Sequence, residues 1–186
     1  MGIQQNSNYV VVAGDGTAYV GPTTTPAPTN AATALNAGFL EMGFISEEGA
    51  TFTQTQEVTD INAWQSFFPI RRITTGRGVT VSFAMREWNK RAVEFATGGT
   101  IAINSAEWKL TPPSPSAVSE KSIVLEWLDV AKKYRLYIPK GIVAEDVEVN
   151  LSRTAAADLP ITFAASDPGA GGNIYTLFTT DPAFSS

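Results

Sequence analysis

The side chains that most often do chemistry are missing from this chain, because its 186 residues include no cysteine and no histidine. Without cysteine there is no thiolate nucleophile, no disulfide and no Cys-ligated zinc. Without histidine the chain also lacks the commonest general base and the commonest ligand of transition metals. The composition therefore excludes Ser-His-Asp hydrolysis, zinc hydrolysis and dithiol redox chemistry. It leaves carboxylate-pair, lysine and cofactor chemistry open.

Carboxylates are the remaining candidates for a reactive site. Glu145, Asp146 and Glu148 are residues of the type that binds calcium. They lack the EF-hand spacing, however, and an exposed strand edge explains them better. A carboxylate pair for glycoside hydrolysis needs to be close only in space, and nothing in the sequence selects one. We therefore expect no catalytic residue, no metal ligand and no cofactor.

Tryptophan offers a second kind of site, a platform for a sugar ring. The chain has four, Trp64, Trp88, Trp108 and Trp127. Trp88 and Trp127 fall on apolar faces of predicted elements, which favours a place in the core. The pattern does not assign Trp64 and Trp108 clearly to the core or to the surface. A subunit interface would use them as readily as a ligand site would.

Charge is distributed unevenly along the chain, whose net charge is −5. Residues 1–70 contain no Lys or Arg, and the first dense basic group is Arg71, Arg72, Arg77, Arg86, Lys90 and Arg91. An acidic and a basic surface on one chain can attract each other between copies, although two ordinary solvated faces would give the same composition. The apolar run Tyr9–Ala13 is far shorter than the roughly 20 residues of a membrane span. The first twenty residues also contain no Lys or Arg, so the basic start of a signal peptide is missing. We therefore expect no membrane partner and a protein that stays in the cytosol until it assembles.

Alternation of apolar and polar residues dominates the pattern and predicts half-buried strands. The alternating segments are Val79–Met85, Ile123–Trp127, Tyr134–Ile138, Val147–Leu151 and Leu159–Phe163. Predicted turns separate most strands, at Gly14-Asp15-Gly16, Glu47-Glu48-Gly49, Gly76-Arg77-Gly78, Pro139–Gly141 and Asp167–Gly172. Many short strands at this spacing predict a mostly β chain, an antiparallel sandwich or barrel, forming one domain over residues 1–186.

One segment has the period of a helix. Asn89 can cap a helix over Lys90–Thr97, and Gly98 can end it in the left-handed conformation. Trp88, Ala92 and Phe95 then lie on one stripe with Ala96. The prediction is one short α-helix that flanks the sheet.

Two stretches are too irregular for a core. Gly21–Gly38 is rich in Thr, Ala, Asn and Pro, and Thr111–Ser116 is a shorter loop of the same kind. Loops longer than about 12–15 residues in compact domains are usually functional or disordered. We therefore expect an extended N-terminal arm or loop at about residues 14–38 that contacts a neighbouring chain. Deleting residues 23–34 should then leave the fold intact and stop assembly.

The order of motifs over Leu40–Gly99 resembles the major tail protein, or tail tube subunit, of long-tailed bacteriophages, particularly those that infect actinobacteria. The motifs that carry the resemblance are Glu47-Glu48-Gly49, the Thr-rich strand Thr51–Val58, Ala63-Trp64-Gln65, Pro69-Ile70-Arg71, Glu87-Trp88-Asn89 and Gly98-Gly99. Each motif alone is a string of common residues. Their order is the signal, and the likeness extends more weakly over residues 10–180.

The resemblance implies a self-assembling virion protein. Such subunits form hexameric rings that stack into a hollow tube around the tape-measure protein. A tail terminator and baseplate or distal tail proteins meet the tube ends, and DNA passes through without specific binding. The expected contacts between subunits are Thr24, Pro26, Pro28, Trp64, Arg71 and Arg72. Since basic contacts to phosphate would retard DNA, we expect lumen-facing positions among Glu41, Glu47, Glu48 and Glu57.

Two other functions are compatible with the same composition and strand pattern. One is another β-rich tail component, such as a tail terminator or a secretion-tube protein. The other is a carbohydrate-binding β-sandwich. A terminator would form single rings that do not stack, and a binding module would stay monomeric and bind glycan.

Overall fold

The computed structural model describes residues 7–105, 107–114, 119–169 and 171–184. Strands dominate this part of the chain, as predicted. They are β1 (Asp15–Pro22), β2 (Leu40–Glu41), β3 (Ile45–Ile61), β4 (Arg71–Met85), β5 (Thr100–Asn104), β6 (Glu107–Thr111), β7 (Lys121–Asp129), β8 (Lys132–Val143), β9 (Leu159–Ala165) and β10 (Thr176–Thr179). The α-helix described is α1 (Lys90–Thr97), and short 3-10 turns cover Ser7–Tyr9 and Pro182–Phe184.

The large sheet is antiparallel and runs in the order β2-β1-β7-β8-β9-β4-β3. β8 changes partner along its length, because β10 pairs with residues 134–137 and β9 pairs with residues 141–143. Strands β5 and β6 form a separate hairpin. Among the described residues β2 and β3 do not pair with each other, so the sheet stays open. The structure is therefore consistent with the predicted β-sandwich and not with a closed barrel.

The core lies between the two halves of this curved sheet. Val79, Val81, Phe83 and Met85 alternate inward along β4, as their spacing predicts. They pack against Leu159, Ile161 and Phe163 of β9, against Ala18, Ile123, Leu125, Leu136 and Ile138 of β1, β7 and β8, and against α1. The rings of Phe95 and Phe163 stack with their centres 5.7 Å apart, which fixes the helix over the sheet.

Strands β7 and β8 are buried on both faces, which explains their nearly continuous apolar runs. Their outer face carries Val124 and Tyr137, and Phe39 covers both. The segment 23–39 thus packs on its own sheet. The prediction of an extended arm at 14–38 is wrong for residues 15–22, which form β1 between β2 and β7.

The helix begins and ends where predicted. Asn89 Oδ1 accepts a hydrogen bond from the Ala92 backbone N at 2.9 Å, and Gly98 adopts φ +65°. Asn89 Nδ2 also donates to the Met42 carbonyl at 2.6 Å, which joins the cap to the core. Trp88 differs from the prediction. It is half exposed and its Nε1 donates to the Ala157 carbonyl, because it precedes the cap and lies outside the buried stripe.

Several predicted turns and one predicted strand are wrong. Residues Glu47-Glu48-Gly49 belong to a bulge inside β3, where Ser46–Gly49 oppose only Ala84 of β4. Gly49 has φ +73°, which suits a bulge as well as a turn. The segments Gly14–Gly16, Gly76–Gly78 and Pro139–Gly141 lie at the start of β1, within β4 and within β8. Residues 147–151 form no strand, since Val147 and Val149 pack on the core from an irregular segment.

Candidate assembly surfaces

Strands β3 and β4 extend beyond the rest of the sheet as a two-stranded ribbon. Strand β9 pairs with β4 only between Thr80 and Met85, so Arg71–Val79 pair with β3 alone. We call residues 54–61 and 71–79 the ribbon and residues 62–70 its tip. The outer edge of β3 has no strand partner among the described residues along its 17 residues. An unpaired edge of this length is a template for a strand of another chain.

The tip presents large apolar side chains to solvent. Trp64 and Phe67 are fully exposed, and Phe68 and Ile70 are mostly exposed. Hydrogen bonds within the tip fix its shape, with Ser66 Oγ donating to the Phe68 carbonyl at 2.8 Å and the Ile70 N donating to the Ile61 carbonyl at 2.8 Å. Clustered exposed aromatic residues on a shaped loop mark a surface that another molecule covers.

The predicted contact residues fall on two separate parts of the structure. Trp64 lies in the tip, and Arg71 and Arg72 begin strand β4 beside it, whereas Thr24, Pro26 and Pro28 lie on the loop that packs against β7 and β8. Thr24 and Pro26 are exposed there, and Pro28 is half-buried. Arg72 pairs with Asp60 at 3.0 Å across the ribbon. Sequence reasoning missed Phe67, Phe68 and Ile70, although an apolar run between two polar strands was a usable signal.

One face of the β3–β4–β9 sheet is lined by small hydroxyl side chains. Thr51 and Thr53 lie opposite Ser82 and Thr80, and Thr162 follows on β9. Ser82 Oγ and Thr162 Oγ1 are 3.2 Å apart, so the hydroxyl groups bond to each other across the strands. We call this surface, with Thr55 and Glu57, the hydroxyl face. None of these positions holds a basic residue.

The predicted lumen carboxylates are all exposed but do not form one group. Glu57 lies on the hydroxyl face opposite Gly76. Glu47 and Glu48 belong to the bulge at the other end of β3, and Glu41 ends β2. Whether any of them faces a lumen stays a prediction.

A cleft of about 550 Å³ lies beside the bulge. Its apolar lining includes Phe44, Phe52, Trp127 and Leu136, and its acidic lining is Asp15, Glu41, Glu47, Glu87 and Glu126. No Lys or Arg lines it among the described residues. Two carboxylates are held in place: Glu126 pairs with Arg135, and Glu87 accepts from the Phe44 backbone N at 3.3 Å. We call this site the acidic cleft.

A buried carboxylate fixes the end of the chain to β8. Asp181 accepts a hydrogen bond from the Tyr134 hydroxyl at 2.6 Å and pairs with Lys132 at 3.0 Å. The hydrogen bond from Tyr134, followed by one from the Ala183 backbone, lowers the pKa of Asp181. Burial, with the bond to Asp181, raises the pKa of Tyr134 to about 12. This arrangement holds β10 and the segment after it.

Comparison with known proteins adds the identity of the family. Within the described residues no helix has the length and apolar character of a membrane span. The comparison with curated proteins finds no match. A family model for the phage tail tube protein matches residues 3–186, nearly the whole chain. The ribbon, its tip and the open sheet edge are therefore surfaces of a virion tail component, and the chain belongs to the phage tail tube protein family.

Proposed function

We propose that this chain is a non-enzymatic subunit that self-assembles into stacked hexameric rings, and that these rings form the hollow tube through which phage DNA is delivered. The ribbon with its exposed tip is the observation that carries the proposal. It extends away from the core and exposes apolar surface that no described part of its own chain covers. Exposure of this kind favours an obligate contact with another subunit.

Ring formation needs a contact that passes from one subunit to the next. The sheet offers two different edges for it, the long edge of β3 and the edge formed by the short β2 beside β1. Pairing of β3 with the opposite edge of a neighbour would be heterologous, and a heterologous contact closes into a ring when the rotation fits. The number six comes from the family resemblance, and the edges supply the mode of contact.

The hydroxyl face suits a lumen through which DNA moves. Lys and Arg would bind phosphate and release counterions, which would hold the DNA in place. Threonine and serine give a wettable surface without positive charge, and Glu57 adds repulsion. Glu41, Glu47 and Glu48 are further candidates for lumen-facing carboxylates, and we expect some of them, not necessarily all, to face the lumen.

The remaining partners follow from the family and from the exposed residues. Assembly takes place in the host cytoplasm around the tape-measure protein, between a tail terminator and the baseplate or distal tail proteins. Thr24, Pro26, Pro28, Trp64, Arg71 and Arg72 provide contacts between subunits. Exposure at the tip supports Trp64 most directly, and Arg71 and Arg72 lie next to the tip at the start of β4.

Electron microscopy of concentrated, purified protein tests the proposal. We expect tubes or stacked rings in negative stain, and fast-sedimenting material in ultracentrifugation. Single rings that never stack would instead indicate a tail terminator. A strictly monomeric protein retained on a glycan column would indicate a carbohydrate-binding module.

A further inference from the structure

We propose that the tip of the ribbon in one subunit binds in the acidic cleft of a neighbouring subunit. This inference rests on the proposed function, since it requires that subunits assemble. It assigns the occupant of the cleft to a second copy of this chain. Three properties of the two surfaces carry it: their apolar areas, their charges and the length of the ribbon.

The acidic cleft is built to be covered. Phe44 is 77 % exposed and Phe52 is 42 % exposed, although both line a concave site. The volume of about 550 Å³ lies within the range of about 300–1,000 Å³ that binding pockets have.

The charges of the two surfaces are complementary. Asp15, Glu41 and Glu47 line the cleft without forming an ion pair among the described residues. The ribbon carries Arg71 next to the aromatic residues of the tip, while the neighbouring Arg72 already pairs with Asp60. Aromatic residues and arginine are the side chains that most often dominate interface energies. Opposite charges around an apolar centre would also fix the orientation of the contact.

The tip cannot reach the cleft of its own chain. The residues of β3 that line the cleft reach no further along the strand than Phe52, whereas the tip begins after Ile61. A strand rises about 3.3 Å per residue, so the nine residues from Phe52 to Ile61 separate the two sites by about 30 Å. The ladder with β4 keeps this ribbon extended. The contact must therefore join different subunits, and a contact between two different surfaces can repeat from copy to copy.

Disulfide trapping tests the contact directly, because the natural chain has no cysteine. Tubes are grown from an equal mixture of Phe68→Cys and Phe44→Cys subunits and oxidised. We expect a cross-linked dimer that contains one copy of each variant. A mixture of Phe68→Cys with Leu151→Cys is the control, since Leu151 is exposed and lies outside the cleft. Oxidised tubes with no more cross-link than the control would overturn the inference and leave the proposed function standing.

Charge reversal gives a second test if a cysteine variant fails to assemble. Glu47→Arg and Arg71→Glu should each lower the yield of tubes at least about tenfold, since close charge pairs across interfaces are worth about 1.5 kcal/mol or more. The double variant should recover most of that yield. Glu48→Arg is the matched control, because Glu48 is the adjacent exposed carboxylate and does not line the cleft. Failure of the double variant to recover, or an equal loss in the control, would contradict the contact. Failure of the wild-type protein to form tubes would contradict the proposed function itself.

Discussion

Arg135 on β8 donates a hydrogen bond to the backbone carbonyl of Asn30, a residue 105 positions earlier in the chain. The same guanidinium donates to the Thr33 carbonyl at 2.7 Å and pairs with Glu126 on β7. Arg135 is only 3 % exposed, so its charge depends on these partners. One side chain thus fixes the loop that the sequence pattern predicted to be an arm.

Replacing Arg135 should therefore destabilise the folded subunit. We expect Arg135→Met to lower the free energy of unfolding by about 3 kcal/mol, because it leaves Glu126 and two carbonyl groups without their partner. Urea unfolding followed by tryptophan fluorescence measures this change. Arg72→Met is the control, with an expected loss below about 1 kcal/mol, because its pair with Asp60 is exposed. Equal losses in the two variants would show that Arg135 does not hold the loop.

The same contacts change the expectation for a loop deletion. Removing residues 23–34 would take away the two carbonyl partners of Arg135, those of Asn30 and Thr33. We now expect the deletion to lower stability as well as assembly. Its effect on tube growth alone would not identify an assembly arm.

Gly141 is a position where a single methyl group should be felt. A Cβ atom there would clash with the Ala164 carbonyl oxygen and lie 2.7 Å from the ring of Phe163. We expect Gly141→Ala to lower the free energy of unfolding by about 1–3 kcal/mol, since the core at this point cannot make room. Gly14→Ala is the matched control, because its nearest contact would be 3.8 Å away. Thermal unfolding of both variants measures the effect. A decrease in Tm as small as that of Gly14→Ala would show that β8 and β9 can separate locally.

Asp181 should make stability depend on acid pH. Its folded pKa lies below the ordinary value of 3.8, so the charged form stabilises the folded state. This contribution is present above about pH 4 and is lost as the pH falls through the folded pKa. The difference in unfolding free energy between wild type and Asp181→Asn should therefore shrink between pH 7 and pH 3.

Tyr134→Phe serves as the companion variant for this pH dependence. It removes the hydroxyl group that donates to Asp181. The loss of unfolding free energy between pH 7 and pH 3 should therefore be smaller in this variant than in the wild type. If the wild type and Asp181→Asn differ in unfolding free energy by the same amount at pH 7 and pH 3, the charge of Asp181 does not stabilise the fold.

Basic residues on the hydroxyl face should slow DNA without preventing assembly. Thr53 and Thr55 are exposed positions of β3, so a phage carrying Thr53→Lys and Thr55→Lys should still form tails. Its genome delivery should be slower and more sensitive to salt, because each lysine adds contacts to phosphate. Potassium efflux or ejection kinetics after infection measure the effect, with Leu151→Lys as the control outside this face. Equal ejection rates would place the hydroxyl face outside the lumen.

The sequence predicted those features that depend on neighbouring residues. The alternation of Val79, Val81 and Phe83 predicts their strand, and Asn89 with Gly98 predicts both ends of the helix. The bulge was missed because a glycine with positive φ, here Gly49, gives the same local signal in a bulge as in a hairpin turn. Only the pairing of Ile45 with Met85 and of Ala50 with Phe83 distinguishes the two.

The acidic cleft and the ribbon were beyond prediction for a different reason. Phe44, Glu87 and Trp127 come from separate segments, and only the sheet order brings them together. The ribbon follows from where β9 stops pairing with β4, which no local pattern records. Trp64, Arg71 and Arg72 could be proposed from sequence because aromatic and basic residues cluster there in the chain itself, and their role as contacts stays a prediction.

A cryo-electron microscopy reconstruction of tubes formed by this chain is the most direct test of the account. We predict that it will show stacked rings of this subunit. The hydroxyl face of Thr51, Thr53 and Thr162 should be turned towards the axis, and the ribbon tip should contact another subunit. Tubes with that face on the outside would contradict the lumen assignment. A chain that forms no tube, and is absent from the tail tube of the virion, would contradict the central claim.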